Sequence, residues 1–443
     1  MRKDEVDRDT IAAIATPPGR GGIGVVRLSG AQVPEIAAKL LGSLPPPRRA
    51  ALRPFRDARG ERIDEGIALY FPAPRSYTGE AVLELHGHGG PVVMQALLAS
   101  CLEAGARLAE PGEFTRRAFL EGKLDLAQAE AVADLIDAAS REAARSALRS
   151  LSGEFSSAIR DLVAQLVELR TLTEATLDFP EEDVDALHRE DAAGRLARLR
   201  GGLAELLGSS RQGNLLASGV RVVIVGRPNV GKSSLLNRFA GEERAIVTPV
   251  AGTTRDALRE PIELDGVPVL MIDTAGLRES LDQIERLGME RTQRELESAD
   301  VILALFEAGG RFEALEGLPA DAVRIDVYNK IDLAPGFEPP RSAHAHVLVS
   351  AKTGAGLDAL RDEILRAVGW SSTGESVFLA RARHLGALER AATHLAAAHQ
   401  QEGRWEFFAE ELRLAQLALG EITGEFSADD LLGEIFARFC IGK

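Results

Sequence analysis

Gly226-Arg227-Pro228-Asn229-Val230-Gly231-Lys232-Ser233 is a G-x-x-x-x-G-K-S phosphate loop near the middle of a 443-residue chain. The apolar run 222–225 before it reads as a buried strand, and Ser234-Leu235-Leu236-Asn237-Arg238-Phe239 after it as the start of a helix. Strand, loop and helix come in the order that a nucleoside-triphosphate site needs. Backbone N–H groups of such a loop cradle phosphate oxygens, Lys232 adds charge near the β and γ phosphates, and the Ser233 hydroxyl can ligate magnesium.

Four elements downstream make the expected nucleotide GTP. Thr253-Thr254 lies in a Gly-containing stretch after the first helix, where a threonine hydroxyl completes magnesium coordination. Asp273-Thr274-Ala275-Gly276 follows the strand 269–272, so Asp273 holds the magnesium water shell and the Gly276 N–H reaches the γ phosphate. Asn329-Lys330-Ile331-Asp332 follows the strand ending at Tyr328, and a carboxylate there accepts two N–H bonds that guanine offers and adenine does not. Ser350-Ala351-Lys352 closes over the base after the next strand. The residue after Gly276 is Leu277, which cannot orient an attacking water, so the nearby polar residues Arg278, Glu279, Asp282 and Glu285 are candidates. Glu285 is favoured, with a solvated loop carboxylate as the other reading. The Asn229 side-chain oxygen is placed to ligate a monovalent cation, and potassium there would neutralise charge that develops during phosphoryl transfer.

Composition bounds the rest. The chain is long enough for about three domains of ~150 residues. With 45% hydrophobic and 27% charged residues it reads as an ordinary globular protein. No apolar run approaches the ~20 residues of a membrane helix, and the charged first residues Met1-Arg2-Lys3-Asp4-Glu5 lack a signal core, so the expectation is a cytoplasmic protein with no membrane partner. Cys101 and Cys440 are too few for a disulfide framework. A net charge of −15 argues against an all-over nucleic-acid coat, yet residues 1–60 hold eleven Lys or Arg against six Asp or Glu. That local excess is either a solvated surface or a basic patch.

Along the chain, residues 9–119 read as a mixed α/β domain with strands at 11–15, 23–28, 66–71 and 81–85. Residues 124–177 read as one long helix. Leu148, Leu151, Phe155, Ile159, Leu162, Leu166 and Leu169 recur at spacings of three and four on one buried face. Asp178-Phe179-Pro180 ends it, a second helix runs through Leu207, and 208–219 reads as a linker. Residues 220–368 alternate strand and helix as a parallel, doubly wound sheet. Helices at 385–395 and 410–419 then return, so the nucleotide domain reads as an insertion into one helical domain. The expected division is 1–120, an N-terminal α/β domain; 121–212 and 371–443, the two parts of the helical domain; and 213–370, the inserted G domain.

The phosphate loop with Ser234-Leu235-Leu236-Asn237, Ala251-Gly252-Thr253-Thr254-Arg255-Asp256, Asp273-Thr274-Ala275-Gly276-Leu277-Arg278-Glu279 and the terminal Phe439-Cys440-Ile441-Gly442-Lys443 resemble the tRNA-modification GTPase family MnmE, also called TrmE. So do Ala15-Thr16-Pro17-Pro18-Gly19-Arg20-Gly21-Gly22-Ile23-Gly24, Glu84-Leu85-His86-Gly87-His88-Gly89-Gly90 and Lys123-Leu124-Asp125-Leu126-Ala127-Gln128-Ala129-Glu130, which are not GTPase motifs. The resemblance covers the whole chain. It implies a homodimer of folate-binding N-terminal domains, and a flavin- and NADH-dependent partner that joins it in a heterotetramer. It also implies GTP, Mg2+ and K+, 5-formyl- or 5,10-methylene-tetrahydrofolate, and addition of an aminomethyl-type group at carbon 5 of the wobble uridine of certain tRNAs.

Carried over by the resemblance, Arg27, Glu84, Lys123 and Lys443 contact folate, and Asn229, Thr248, Val250 and Thr253 hold potassium. Ser233 and Thr254 hold magnesium, Glu285 orients the water, and Cys440 acts on the uridine. Pro249 bears on the local geometry of the carbonyls around position 250. Taken as bare residues, the folate set also reads as surface charge, and Cys440 as a packed thiol. A ribosome-assembly or regulatory switch GTPase without RNA chemistry of its own is the alternative reading.

Overall fold

Short strands with one face buried against helices build the N-terminal part of the chain. They are β1 (Ile11–Ile14), β2 (Gly24–Ser29), β3 (Ala51–Arg56), β4 (Arg62–Phe71), β5 (Val82–Gly87) and β6 (Arg107–Leu108). Helices α1 (Val33–Leu41), α2 (Pro91–Glu103), α3 (Glu113–Leu120) and α4 (Leu126–Asp137) are interleaved with them. The computed structural model describes residues 9–178, 185–242, 259–273, 293–311, 315, 317–319, 322–371, 377–401, 403–425, 429–437, 439, 440 and 442. The six strands form one sheet in the order β3-β4-β5-β2-β1-β6, antiparallel except for the β1–β6 pair. Val26, Leu28, Leu83 and Leu85 point from one face of the sheet into a core completed by Ile36 and Leu40 of α1 and Leu97 of α2.

Helices follow as α5 (Arg141–Leu151), α6 (Glu154–Asp178) and α7 (Asp185–Ser218). The second sheet contains β7 (Val220–Gly226), β8 (Arg259–Leu264), β9 (Val267–Asp273), β10 (Val301–Glu307), β11 (Val323–Asn329) and β12 (Ala345–Leu348), with α8 (Lys232–Glu242) and α9 (Leu357–Ala367) beside it. Its order is β12-β11-β10-β7-β9-β8, parallel except for β8. This is the expected doubly wound sheet. Its strands are near-continuous apolar runs because both faces are covered. The chain ends in α10 (Ala382–Gln400), α11 (Trp405–Thr423) and α12 (Asp429–Ala437).

Two compact units result. One is Met1–Ala133 with Leu419–Lys443, and the other is Asp134–Ala418. In the first, Ile435, Phe436 and Phe439 pack with Leu126 and Ala129 of α4. In the second, α7 packs against both α6 and α10. Among the described residues no helix is long and apolar enough to cross a membrane.

Sequence reading and structure differ in several places. Strand β6 and the antiparallel β8 are further strands that the reading did not contain. The single helix expected over 124–177 is three helices, because Ser140 caps α5 by accepting the Ala143 N–H at 3.1 Å and the chain turns at Ser152 and Gly153. The apolar stripe is accordingly divided: Phe155, Ile159, Leu162, Leu166 and Leu169 are buried, whereas Leu148, on the preceding helix, is 56% exposed. The linker expected at 208–219 is the last part of α7, which reaches Ser218. Packing of Leu206, Ser210 and Leu216 outweighs the weak helix propensity of Gly208 and Gly213. Strand β3 is absent from the sequence reading because Pro54 and the charged Arg53 and Arg56 hide it, and an edge strand tolerates such a proline.

Candidate functional site

Strand β7 ends at Gly226 between β10 and β9, the point where the order of the second sheet reverses and a ligand crevice opens beyond the strand ends. The phosphate loop occupies that point and leads into α8, whose N-terminal N–H groups face the crevice. Asn229 holds φ at 64° inside the loop. Lys232 is buried, and its Nζ donates to the Gly226 and Arg227 carbonyls, both at 2.9 Å. Parallel register sets Ile224 of β7 beside Asp273 of β9, and the Ser233 hydroxyl donates to Asp273 Oδ2 at 2.6 Å. Asp273 is fully buried and Ser233 half-buried, so the pair stands at the boundary between the core and the crevice.

Asn329, at the end of β11, joins the base side of the crevice to the phosphate side. Its Nδ2 donates to the Val230 carbonyl at 2.9 Å, and its Oδ1 accepts the Ala351 N–H at 3.0 Å. Gly231 is the residue that allows this approach, since a Cβ there would overlap Asn329 Nδ2. The Ser350 hydroxyl donates to Asp332 Oδ1 at 2.7 Å and orients that carboxylate. Lys330 pairs with Glu307 of β10 at 3.0 Å. Ser234 and Lys352 are exposed at the rim.

The structure thus brings together Asn229, Val230, Gly231, Lys232, Ser233, Asp273, Asn329, Asp332, Ser350 and Ala351. Thr248, Val250, Thr253, Thr254, Thr274, Ala275, Gly276, Glu285 and Lys443 lie outside the described residues.

A second constellation sits in the unit of the N-terminal sheet. Antiparallel register sets Arg27 of β2 opposite Glu84 of β5. Arg27 Nε and Nη2 both lie 2.9 Å from Glu84 Oε1, and His86 Nε2 lies 3.2 Å from Oε2. The guanidinium stands 5.8 Å from the ring centres of Tyr77 and of Phe114. Its Nη1 donates to the Gly442 carbonyl at 3.4 Å, so the C-terminal segment is held on this pair. Cys440 is exposed, and its carbonyl accepts the Gly112 N–H at 3.4 Å just before α3. Lys123 is exposed on the turn after α3, beside Gly79. His86 lies outside the expected site set. Its signal was its spacing, because residues i and i+2 of a strand share a face and Glu84 was already singled out.

Phe114 is fixed by an ion network under α3. Glu113 receives Arg107 at 2.8 and 2.9 Å and Arg117 at 2.9 Å, and Arg117 continues to Glu80 at 3.0 Å. Burial pushes the Glu113 carboxyl up, but hydrogen bonds from Arg107, the Glu110 N–H and Arg117 outweigh it and hold the group at about 2.

The family model for the GTP-binding protein TrmE N-terminus matches residues 10–123, and the model for the MnmE helical domain matches residues 126–440. The chain is 63% identical over 444 residues to the tRNA modification GTPase MnmE of Azoarcus sp. (strain BH72), covering 98% of each chain. It is 61% identical over 440 residues to that of Thiobacillus denitrificans, again covering 98% of each. Aromatoleum aromaticum has a relative of the same name at 60% identity, also with 98% coverage of each. Phosphate loop, guanine-side loops and full-length similarity lead to one conclusion: the chain is a GTP hydrolase that belongs to the tRNA modification GTPase MnmE family.

Proposed function

We propose that this chain couples GTP hydrolysis to the addition of a carboxymethylaminomethyl or aminomethyl group at carbon 5 of the wobble uridine of certain tRNAs. A tetrahydrofolate supplies the one-carbon unit, and a flavin- and NADH-dependent protein is the partner. The observation that carries this reading is the Gly442 carbonyl on Arg27. It sets the Cys440 segment beside a carboxylate–guanidinium pair in a unit that has no phosphate loop. A switch GTPase without chemistry of its own has no need of such a second site.

At the nucleotide site, Ser233 and Asp273 offer a close pair of hard oxygen donors, which suits Mg2+, with Thr254 as a further ligand. Held there, Mg2+ would supply charge neutralisation at the β and γ phosphates. Lys232, held by two carbonyls, presents its ammonium to the same oxygens. Asp332, fixed by Ser350, accepts the two guanine N–H groups. Glu285 positions the water that Leu277 cannot. Asn229, Thr248, Val250 and Thr253 hold K+, so turnover is faster in potassium than in sodium at equal ionic strength, and a steady-state phosphate-release assay reads the difference.

At the second site Glu84 is the group that meets the pterin amide-like donors. Arg27 fixes Glu84 and the C-terminal segment, while Lys123 and Lys443 take the anionic tail of the folate. The protein works in the cytoplasm as a homodimer of N-terminal domains. Its helical domain is formed by residues 121–212 and 371–443, with 213–370 inserted as the G domain. Nucleoside analysis of tRNA from cells with and without the chain tests the function: the wobble-uridine modification disappears on deletion and returns on complementation. An unchanged nucleoside profile would refute it.

A further inference from the structure

The basic excess of residues 1–60 has a definite place in the fold. Six arginines fall between residues 48 and 62, against Asp57 and Glu61. They lie on β3, on the loop before it, on the β3–β4 turn and at the start of β4, at the outer edge of the first sheet. Arg48, Arg49, Arg56, Arg59 and Arg62 are exposed, and Arg53 is half-buried.

A solvated surface of mixed charge pairs its arginines with carboxylates, and this edge does not. Among the described residues Arg62 alone of the six has a carboxylate partner, Glu65. The guanidiniums of Arg48, Arg53 and Arg56 rest instead on the carbonyls of Arg75, Leu52 and Gly60. A carbonyl orients a guanidinium without neutralising it. Register also sets Arg56 directly opposite Arg62, a like-charge pair that destabilises a hairpin unless an anion bridges it. At the tip Asp57 is committed to the turn, since its Oδ1 accepts the Arg59 and Glu61 N–H groups at 2.9 and 2.8 Å. The turn therefore presents Arg59 rigidly. Arginine forks of this kind match phosphate oxygens, and a chain of net charge −15 has to concentrate its attraction for a polyanion in one place.

We propose that the β3–β4 hairpin is a docking surface for the phosphate backbone of RNA, and that the RNA is the tRNA substrate. The choice of tRNA rests on the function proposed above; the choice of phosphate rests on the hairpin alone. None of these arginines belongs to the GTP site or to the Arg27–Glu84 constellation, so their removal leaves both intact.

The full-length protein with R49Q, R56Q and R59Q tests this by titration of unmodified tRNA at several salt concentrations. Each lost phosphate contact lowers the slope of log affinity against log salt by about 0.7–0.9, so the triple variant loses roughly 2–3 from the slope and about tenfold or more in affinity near 0.1 M salt. GTP turnover stays at the wild-type value, and the thermal midpoint does not fall, since R56Q relieves the Arg56–Arg62 repulsion. The corresponding triple lysine variant keeps most of the slope, which separates charge from a structural role. An unchanged slope and affinity in the glutamine variant overturns the proposal, as does arginine-dependent binding to anionic phospholipid vesicles with no effect on tRNA. Nucleoside analysis in the same cells separates the two readings. If the wild-type chain restores the modification while the glutamine variant binds tRNA normally, only the hairpin assignment fails; if the wild-type chain restores nothing, the function fails.

Discussion

Glu113 carries its charge almost wholly out of water, and three hydrogen-bond donors make that tolerable. The carboxyl titrates at about 2 in the fold against 4.5 ordinarily, a difference worth about 3 kcal/mol. Because the folded value is the lower one, this stabilisation is fully present above pH 4.5 and fades as pH falls toward 2. Thermal unfolding from pH 5 to pH 2 is therefore expected to lose stability more steeply in the wild type than in Glu113→Gln. The variant is already destabilised at pH 7, since Arg107 and Arg117 keep a neutral partner only. At the same scale, Asp273, Asn329 and Asp332 were legible in sequence as members of tetrapeptides. The brace from Asn329 to Val230 was not, because 99 residues separate the partners and only the β7–β10–β11 order brings them together. Arg27 and Glu84 were singled out one at a time; their pairing came from the register of β2 and β5.

Among elements, α7 departs furthest from its sequence. Its glycines read as punctuation, yet they lie inside a helix and differ in function. Gly213 faces the extended segment that returns from the second sheet, and a Cβ there would overlap the Phe378 carbonyl oxygen. The same segment is held from the other side by the Ser146 and Ser150 hydroxyls of α5, which donate to the Val377 and Leu379 carbonyls at 3.3 Å. Gly208 has open space around its Cα. The two positions therefore predict opposite outcomes for one substitution. Gly208→Ala raises the thermal midpoint, by up to about 1 kcal/mol of helix propensity. Gly213→Ala lowers it by about 1–3 kcal/mol, because overpacking against backbone outweighs the same propensity gain. Differential scanning calorimetry of both variants checks the pair. Periodicity placed the buried face of α6 correctly, since that face is set by local spacing; the helix breaks and the glycine contact are tertiary and leave no local signature.

For the molecule as a whole, the two constellations fall into different units, so they should fail separately. Cys440→Ser is expected to leave GTP turnover within about twofold of wild type and to abolish the tRNA modification. Parallel phosphate-release and nucleoside assays check it, and full modification by the variant would reduce Cys440 to packing. The doubly wound sheet and its nucleotide loop were legible from motif order alone. The joining of the C-terminal segment to the first sheet was legible only as a shared family motif, because no local pattern connects Cys440 to Gly112.

That joining has a consequence for how the protein is made. Leu419–Lys443 leaves the ribosome after Asp134–Ala418, which at ~5–20 residues per second is a wait of roughly 15–60 s for the first 133 residues. During it the apolar surfaces of Leu126 and Ala129 lack their Ile435, Phe436 and Phe439 partners. The unit whose synthesis begins first is thus the last to be completed, and the nascent chain holds a complete first sheet with an uncovered α4 while the nucleotide domain behind it can already close.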